Sequence, residues 1–99
     1  MSVPRLGVVK EIVEATGLGV SYAYEDLVFL DNNAVLLQFT NARDTVLLHT
    51  NQEAAKEQLT PILAAFKQEA RARAMSFLDG GQYALSQGEG ENINIEFIP

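Results

Sequence analysis

The stretch VFLDNNAVLLQFTNARDTVLL, residues 28–48, most constrains what this chain can fold into. Two clusters of turn-forming residues, Asp31-Asn32-Asn33 and Asn41-Ala42-Arg43-Asp44, punctuate its apolar runs. Asn32-Asn33 suits a two-residue type I′ turn, because Asn tolerates positive φ better than most residues. That turn sets Leu30 opposite Val35, Val28 opposite Leu37 and Asp26 opposite Phe39. The second, four-residue loop sets Phe39 opposite Val46 and Leu37 opposite Leu48. Cross-strand partners share a face. One face therefore carries Val28, Leu30, Val35, Leu37, Phe39, Val46 and Leu48. The opposite face carries Leu27, Phe29, Leu36, Gln38, Thr40, Thr45, Leu47 and His49.

Residues 20–49 thus read as three antiparallel strands, and helices are expected on either side of them. Over 3–16, Leu6, Val9 and Val13 with Val8, Ile12 and Ala15 recur at helical spacing. Ser2 can cap that helix, Pro4 suits its first turn, and Gly17 is placed to end it in a left-handed conformation. After the strands, Thr50 and Glu53 have capping-box spacing. Leu59, Ile62, Leu63, Phe66 and Ala70 then form a second apolar stripe. Pro61 is a defect in one long helix. Either the helix kinks there, or a short helix ends near Gln58 and another starts with Thr60 as cap; the second option is preferred. Glu69 and Arg73 form an i,i+4 pair, and Lys67, Arg71 and Arg73 complement the helix C-terminus.

Gly80-Gly81 reads as a break. Tyr83–Gln87 and Asn92–Ile98 then form a last hairpin around Gly88-Glu89-Gly90-Glu91, with Ile93, Ile95 and Phe97 alternating against Asn92, Asn94 and Glu96. The expectation is a single domain over residues 1–99, of class α+β and order α-β-β-β-α-β-β. It has an antiparallel sheet of about five strands with two helices packed on one face.

Charge narrows the partners. Thirteen acids against seven bases give a formal charge of −6. Such a surface repels nucleic acid, whose binding depends on Lys and Arg neutralising phosphates, and it repels anionic lipid too. No apolar run approaches the ~20 residues of a membrane span. Lys10, Glu11 and Glu14 interrupt any apolar core of a secretory signal. There is no Cys, hence no disulfide and no thiolate metal site. The partners that remain are small molecules and other proteins, and the lack of Cys is compatible with a reducing cytosol.

No convergent catalytic set emerges, and neither an enzyme nor a cofactor is expected. His49 is the only histidine, at a strand end beside the second helix. It lacks an evident orienting carboxylate. Asp31-Asn32-Asn33 lacks the further spaced ligands of a calcium loop, so no metal site is expected. Gly17-Leu18-Gly19 follows a helix, the wrong order for a phosphate loop. Lys67, Arg71 and Arg73 read as a solvated helix end.

The second sheet face is the functional clue. Fully burying a Leu or Phe gains about 1.5–3 kcal/mol. Leaving Leu27, Phe29, Leu36 and Leu47 wet would forgo roughly 6–12 kcal/mol, an upper bound. A contiguous apolar patch of this kind marks an interface. These four residues are the candidate partner or dimer interface, unless the first helix or last hairpin of the same chain covers them.

The pattern VVKEIVEATGLGVSYAYEDLVFLDNNAVLLQF, then TVLLHT, then GGQYALSQGEGENINIEF resembles the bacterial type III secretion chaperones of the effector-binding class. The shared features are an apolar helix ending in Gly-Leu-Gly, an acidic spacer, short Leu/Val-rich strands and a Gly-Gly-opened final hairpin. The resemblance implies a cytoplasmic homodimer that holds an extended segment of a partner protein without ATP. That family continues into a third helix beyond the last strand, which residues 1–99 do not include, and its dimer mode does not transfer on these residues alone. The alternatives are a small-ligand or enzymatic α+β domain with a pocket near His49 and Tyr83, or a structural subunit of a larger complex.

Overall fold

A computed structural model describes residues 5–87, 90 and 93–98. The expected cap Ser2, Pro4, Asn92 and most of the Gly88–Glu91 tip lie outside the described residues. The order is α1 (Arg5–Ala15), β1 (Val20–Tyr24), β2 (Leu27–Leu30), β3 (Val35–Phe39), β4 (Thr45–Asn51), α2 (Lys56–Ala72), β5 (Ser76–Gln87) and β6 (Ile93–Ile98). The class is α+β, as expected. The sheet is mixed and has six strands in sequential order, β1 to β6.

Three physical causes separate this sheet from the five antiparallel strands expected. The first strand is two, because Glu25 adopts φ 54° and turns the chain between Tyr24 and Leu27. Gly80-Gly81 does not break the chain but lies within β5, where the register shifts beside His49. And α2 carries the chain back along the sheet, so β5 runs parallel to β4 while every other pair is antiparallel.

The register of the central strands is the one expected from residues 28–48. Val28 faces Leu37, Leu37 faces Leu48 and Phe39 faces Val46. The turn chemistry differs. Neither Asn32 nor Asn33 has positive φ, so the turn is not type I′. Asn32 Oδ1 instead accepts the Ala34 N–H at 2.8 Å, a side-chain turn that gives the same register.

Val28, Leu30, Val35, Leu37, Val46, Leu48 and Phe77 form one core with Val9, Ile12 and Val13 of α1 and Phe66 and Ala70 of α2. Both helices therefore cover one sheet face. Gly17, at φ 93°, ends α1 as expected: the Leu18 N–H reaches Val13 O and the Gly17 N–H reaches Glu14 O, a Schellman pair. The same pair of bonds closes α2 onto Ala70 and Arg71, with Ala74 in the left-handed position.

Two helix expectations are corrected. Thr50 is a strand residue whose hydroxyl donates to Gly81 O, and the α2 N-cap is Ala55, with no side-chain cap. Helix α2 is continuous through Pro61. Glu57, whose carbonyl Pro61 leaves without its helical donor, is exposed like Pro61, so water can serve it. Arg73 meets Glu69 at 2.8 Å as the spacing implies, and also Glu11 at 3.6 Å, tying the end of α2 to α1.

Candidate functional site: a groove between the ends of the sheet

The face away from the helices is built from two rows of cross-strand partners. Tyr24, Leu27, Gln38, Leu47 and Leu78 form one, and Tyr22, Phe29, Leu36, His49 and Gly81 the other. Beyond Gly81, the β5–β6 hairpin adds Tyr83 paired with Phe97 and Leu85 paired with Ile95. This hairpin reaches back over the sheet. The Tyr83 hydroxyl donates to Asn33 O in the β2–β3 loop, and Asn51 Nδ2 donates to the same carbonyl at 3.1 Å.

The reach leaves an open groove of about 930 Å³. One wall is Tyr22, Tyr24, Leu27 and Phe29; the other is Leu85, Asn94 and Ile95. The aromatic wall is ordered by side-by-side packing. The Tyr22 and Tyr24 rings are parallel within 10° at 6.4 Å, and Tyr22 meets Phe29 at 5.9 Å. Tyr22 and Tyr24 remain 57% and 54% exposed, high for large rings on a sheet face. Glu25 hydrogen-bonds Tyr24 and places negative charge beside it, which together hold its phenol above the usual tyrosine range.

The four candidate interface residues part company here. Leu27 and Phe29 are half-buried and line the groove. Leu36 is 1% exposed and out of reach of a partner, which corrects its place in that set. Leu47 is half-buried, off the groove, beside Leu78, which is 51% exposed. Tyr22 and Tyr24 were missed. Their two-residue alternation before Glu25-Asp26 was the signal, obscured because this segment read as part of the next strand.

His49 is not at a surface strand end. It is 5% exposed, with the Phe97 ring 4.7 Å away and Gly80 against its edge. Gln38 Nε2 donates to Asp26 Oδ2 at 2.9 Å, so its carbonyl faces His49 and takes the Nε2 proton at 2.8 Å. Nδ1 is then a buried acceptor with no partner. Burial pushes the imidazole pKa below its usual 6.5. His49 is absent from the groove lining, and among the described residues no group of three or more His, Asp or Glu could hold a metal ion. Among the described residues no helix is long and apolar enough to cross a membrane. Comparison with known protein families, curated proteins and solved structures found no match to the chain.

Proposed function

We propose that this protein is a binding module that takes an extended apolar segment of a partner protein into the groove between the two ends of its sheet. One observation carries the reading: β1 and β6, the terminal strands, contribute to the walls of one groove. Among the described residues, each terminal strand has a sheet neighbour on one side alone. A strand entering the groove would find backbone donors and acceptors along those edges, and alternate side chains would enter between the aromatic and aliphatic walls. This is the capture without ATP that the secretion-chaperone resemblance implies. The burial of His49 away from the groove favours it over the enzymatic alternative.

A labelled peptide of about nine residues alternating Val and Thr would extend over ~30 Å. Fluorescence anisotropy should report its binding, and Tyr22→Asp should abolish that binding while the thermal midpoint stays within a few degrees. Undiminished binding by Tyr22→Asp and by Phe29→Asp would overturn the proposal.

A second reading concerns a different surface. Ser76–Gly81 of β5 has β4 on one side and no strand on the other among the described residues, and Leu78 stands exposed there. Antiparallel pairing of two identical edges is two-fold symmetric by construction, so a second copy fits this edge and gives the expected homodimer. Light scattering should then show a dimer that Leu78→Asp returns to a monomer. A native chain of monomer mass at tens of micromolar would dismiss this reading and leave the groove untouched.

A further inference from the structure

The positive charges of this chain are unevenly placed along the sequence. Arg5, Lys10, Lys56, Lys67 and Arg71 lie in the two helices, Arg73 follows α2, and Arg43 lies between β3 and β4. No Lys or Arg occurs between residues 11 and 42 or after residue 73. Those two segments supply both walls of the groove. Their charged residues are all acidic beyond the first helix: Glu25, Asp26 and Asp31 around β2, with Asp79, Glu89, Glu91 and Glu96 in the last quarter of the sequence.

We infer that the segment taken up by the groove is a cationic amphipathic strand, with apolar side chains alternating with Lys or Arg. The inference rests on the groove being a peptide site, and it names the chemistry of the occupant. In an extended segment every second side chain turns away from the apolar walls. Glu25 and Asp26 lie at the turn between β1 and β2, and Asp31 directly follows β2, so carboxylates lie at both ends of the wall that carries Phe29. Cationic side chains on the outward positions would meet them, whereas acidic ones would meet repulsion with no cation of the groove segments to relieve it. Glu25 directly follows Tyr24 in the chain, so one of these carboxylates adjoins the aromatic wall. A second copy of this chain suits the groove poorly for the same reason, since its own groove segments bring acidic residues and no Lys or Arg.

Three labelled peptides separate the possibilities: Val alternating with Lys, with Thr and with Glu. At about 0.02 M salt the Lys peptide should bind at least about tenfold more tightly than the Glu peptide, and the gap should close toward 0.5 M, where the screening length falls to a few ångströms. Glu25→Gln with Asp31→Asn should weaken the Lys peptide several-fold and leave the Thr peptide unchanged. Equal affinities for the three peptides, all lost in Tyr22→Asp, would overturn the charge inference and leave the groove standing. Binding of none would remove the groove reading and this inference together. A native dimer that Tyr22→Asp dissociates would assign the groove to a second copy and overturn the inference.

Discussion

The Tyr83 hydroxyl donates to the carbonyl of Asn33, fifty residues earlier in the chain. It links the hairpin that makes one groove wall to the loop that ends the other. Removing it by Tyr83→Phe leaves the ring packed and keeps the Asn51 Nδ2 donor on the same carbonyl. The expected cost is about 1 kcal/mol of stability, the net worth of a typical hydrogen bond. Urea unfolding measures this. Groove binding should weaken in the same variant, because the wall loses an anchor.

Burial also holds the Tyr83 phenol above its ordinary value of 10, with a smaller opposing pull from Asn51. The unfolded chain therefore releases this proton first. Tyr83 contributes stability that is present below pH 10 and is lost as pH rises through the folded value. Unfolding midpoints should fall between pH 10 and 11 more steeply for the native chain than for Tyr83→Phe. Equal slopes would contradict the buried phenol.

His49 acts at the other end of the scale. Its imidazole is held below 6.5 by burial, so on acidification the unfolded state binds the proton first. Stability should decline as pH falls from 7 through 6.5 toward the folded value, and should not decline further from this group below it. His49→Gln can still donate toward Gln38 and carries no proton to titrate. Its unfolding midpoint should stay flatter between pH 7 and 5. The comparison stops at pH 5 because the carboxylates dominate below it.

Gly80 lies so close to His49 that an added Cβ would stand 2.9 Å from Cε1, 3.1 Å from Nδ1 and 3.1 Å from Leu47 Cβ. Gly80→Ala should cost about 1–3 kcal/mol, the usual penalty of overpacking. His49→Ala removes the nearest of these atoms. The double variant should therefore be more stable than the sum of the singles predicts, by about 0.5 kcal/mol or more. Strict additivity in urea unfolding would place the strain elsewhere.

The residues that were legible in the sequence are those whose environment is local. Val28, Leu37 and Leu48 share a face because two short loops fix parity, and parity survives an error in turn type. Gly17 ends α1 because its requirement is one backbone angle. Apart from local turns such as the one at Glu25, what was not legible is non-local. The parallel pairing of Ser76–Asp79 depends on where α2 returns the chain. The burial of His49 against Phe97 depends on a hairpin that comes after α2, held by Tyr83 to Asn33. The groove itself is lined by Tyr22, Tyr24, Leu27 and Phe29 on one side and by Leu85, Asn94 and Ile95 on the other, with two strands, β3 and β4, between them in the sheet, so no local pattern announces it. Pro61 misled for the opposite reason: its local penalty is real, and an exposed helix face tolerates it.

Ala74 ends α2 at φ 59°, the position that Gly17 fills for α1 with the same two backbone bonds. A left-handed residue with a Cβ costs roughly 1–2 kcal/mol, and glycine relieves it. Glycine also loosens the unfolded chain, which offsets part of the gain by about 0.4–1 kcal/mol. Ala74→Gly should therefore stabilise the protein by up to about 1 kcal/mol, or raise its melting temperature by ~4–8 °C at the upper end. The mirror substitution Gly17→Ala should destabilise by about the same amount, since nothing stands within 4 Å of its added Cβ and backbone strain alone opposes it. Thermal unfolding of both variants tests the pair, and a loss of stability in Ala74→Gly would show that the helix does not end in this conformation.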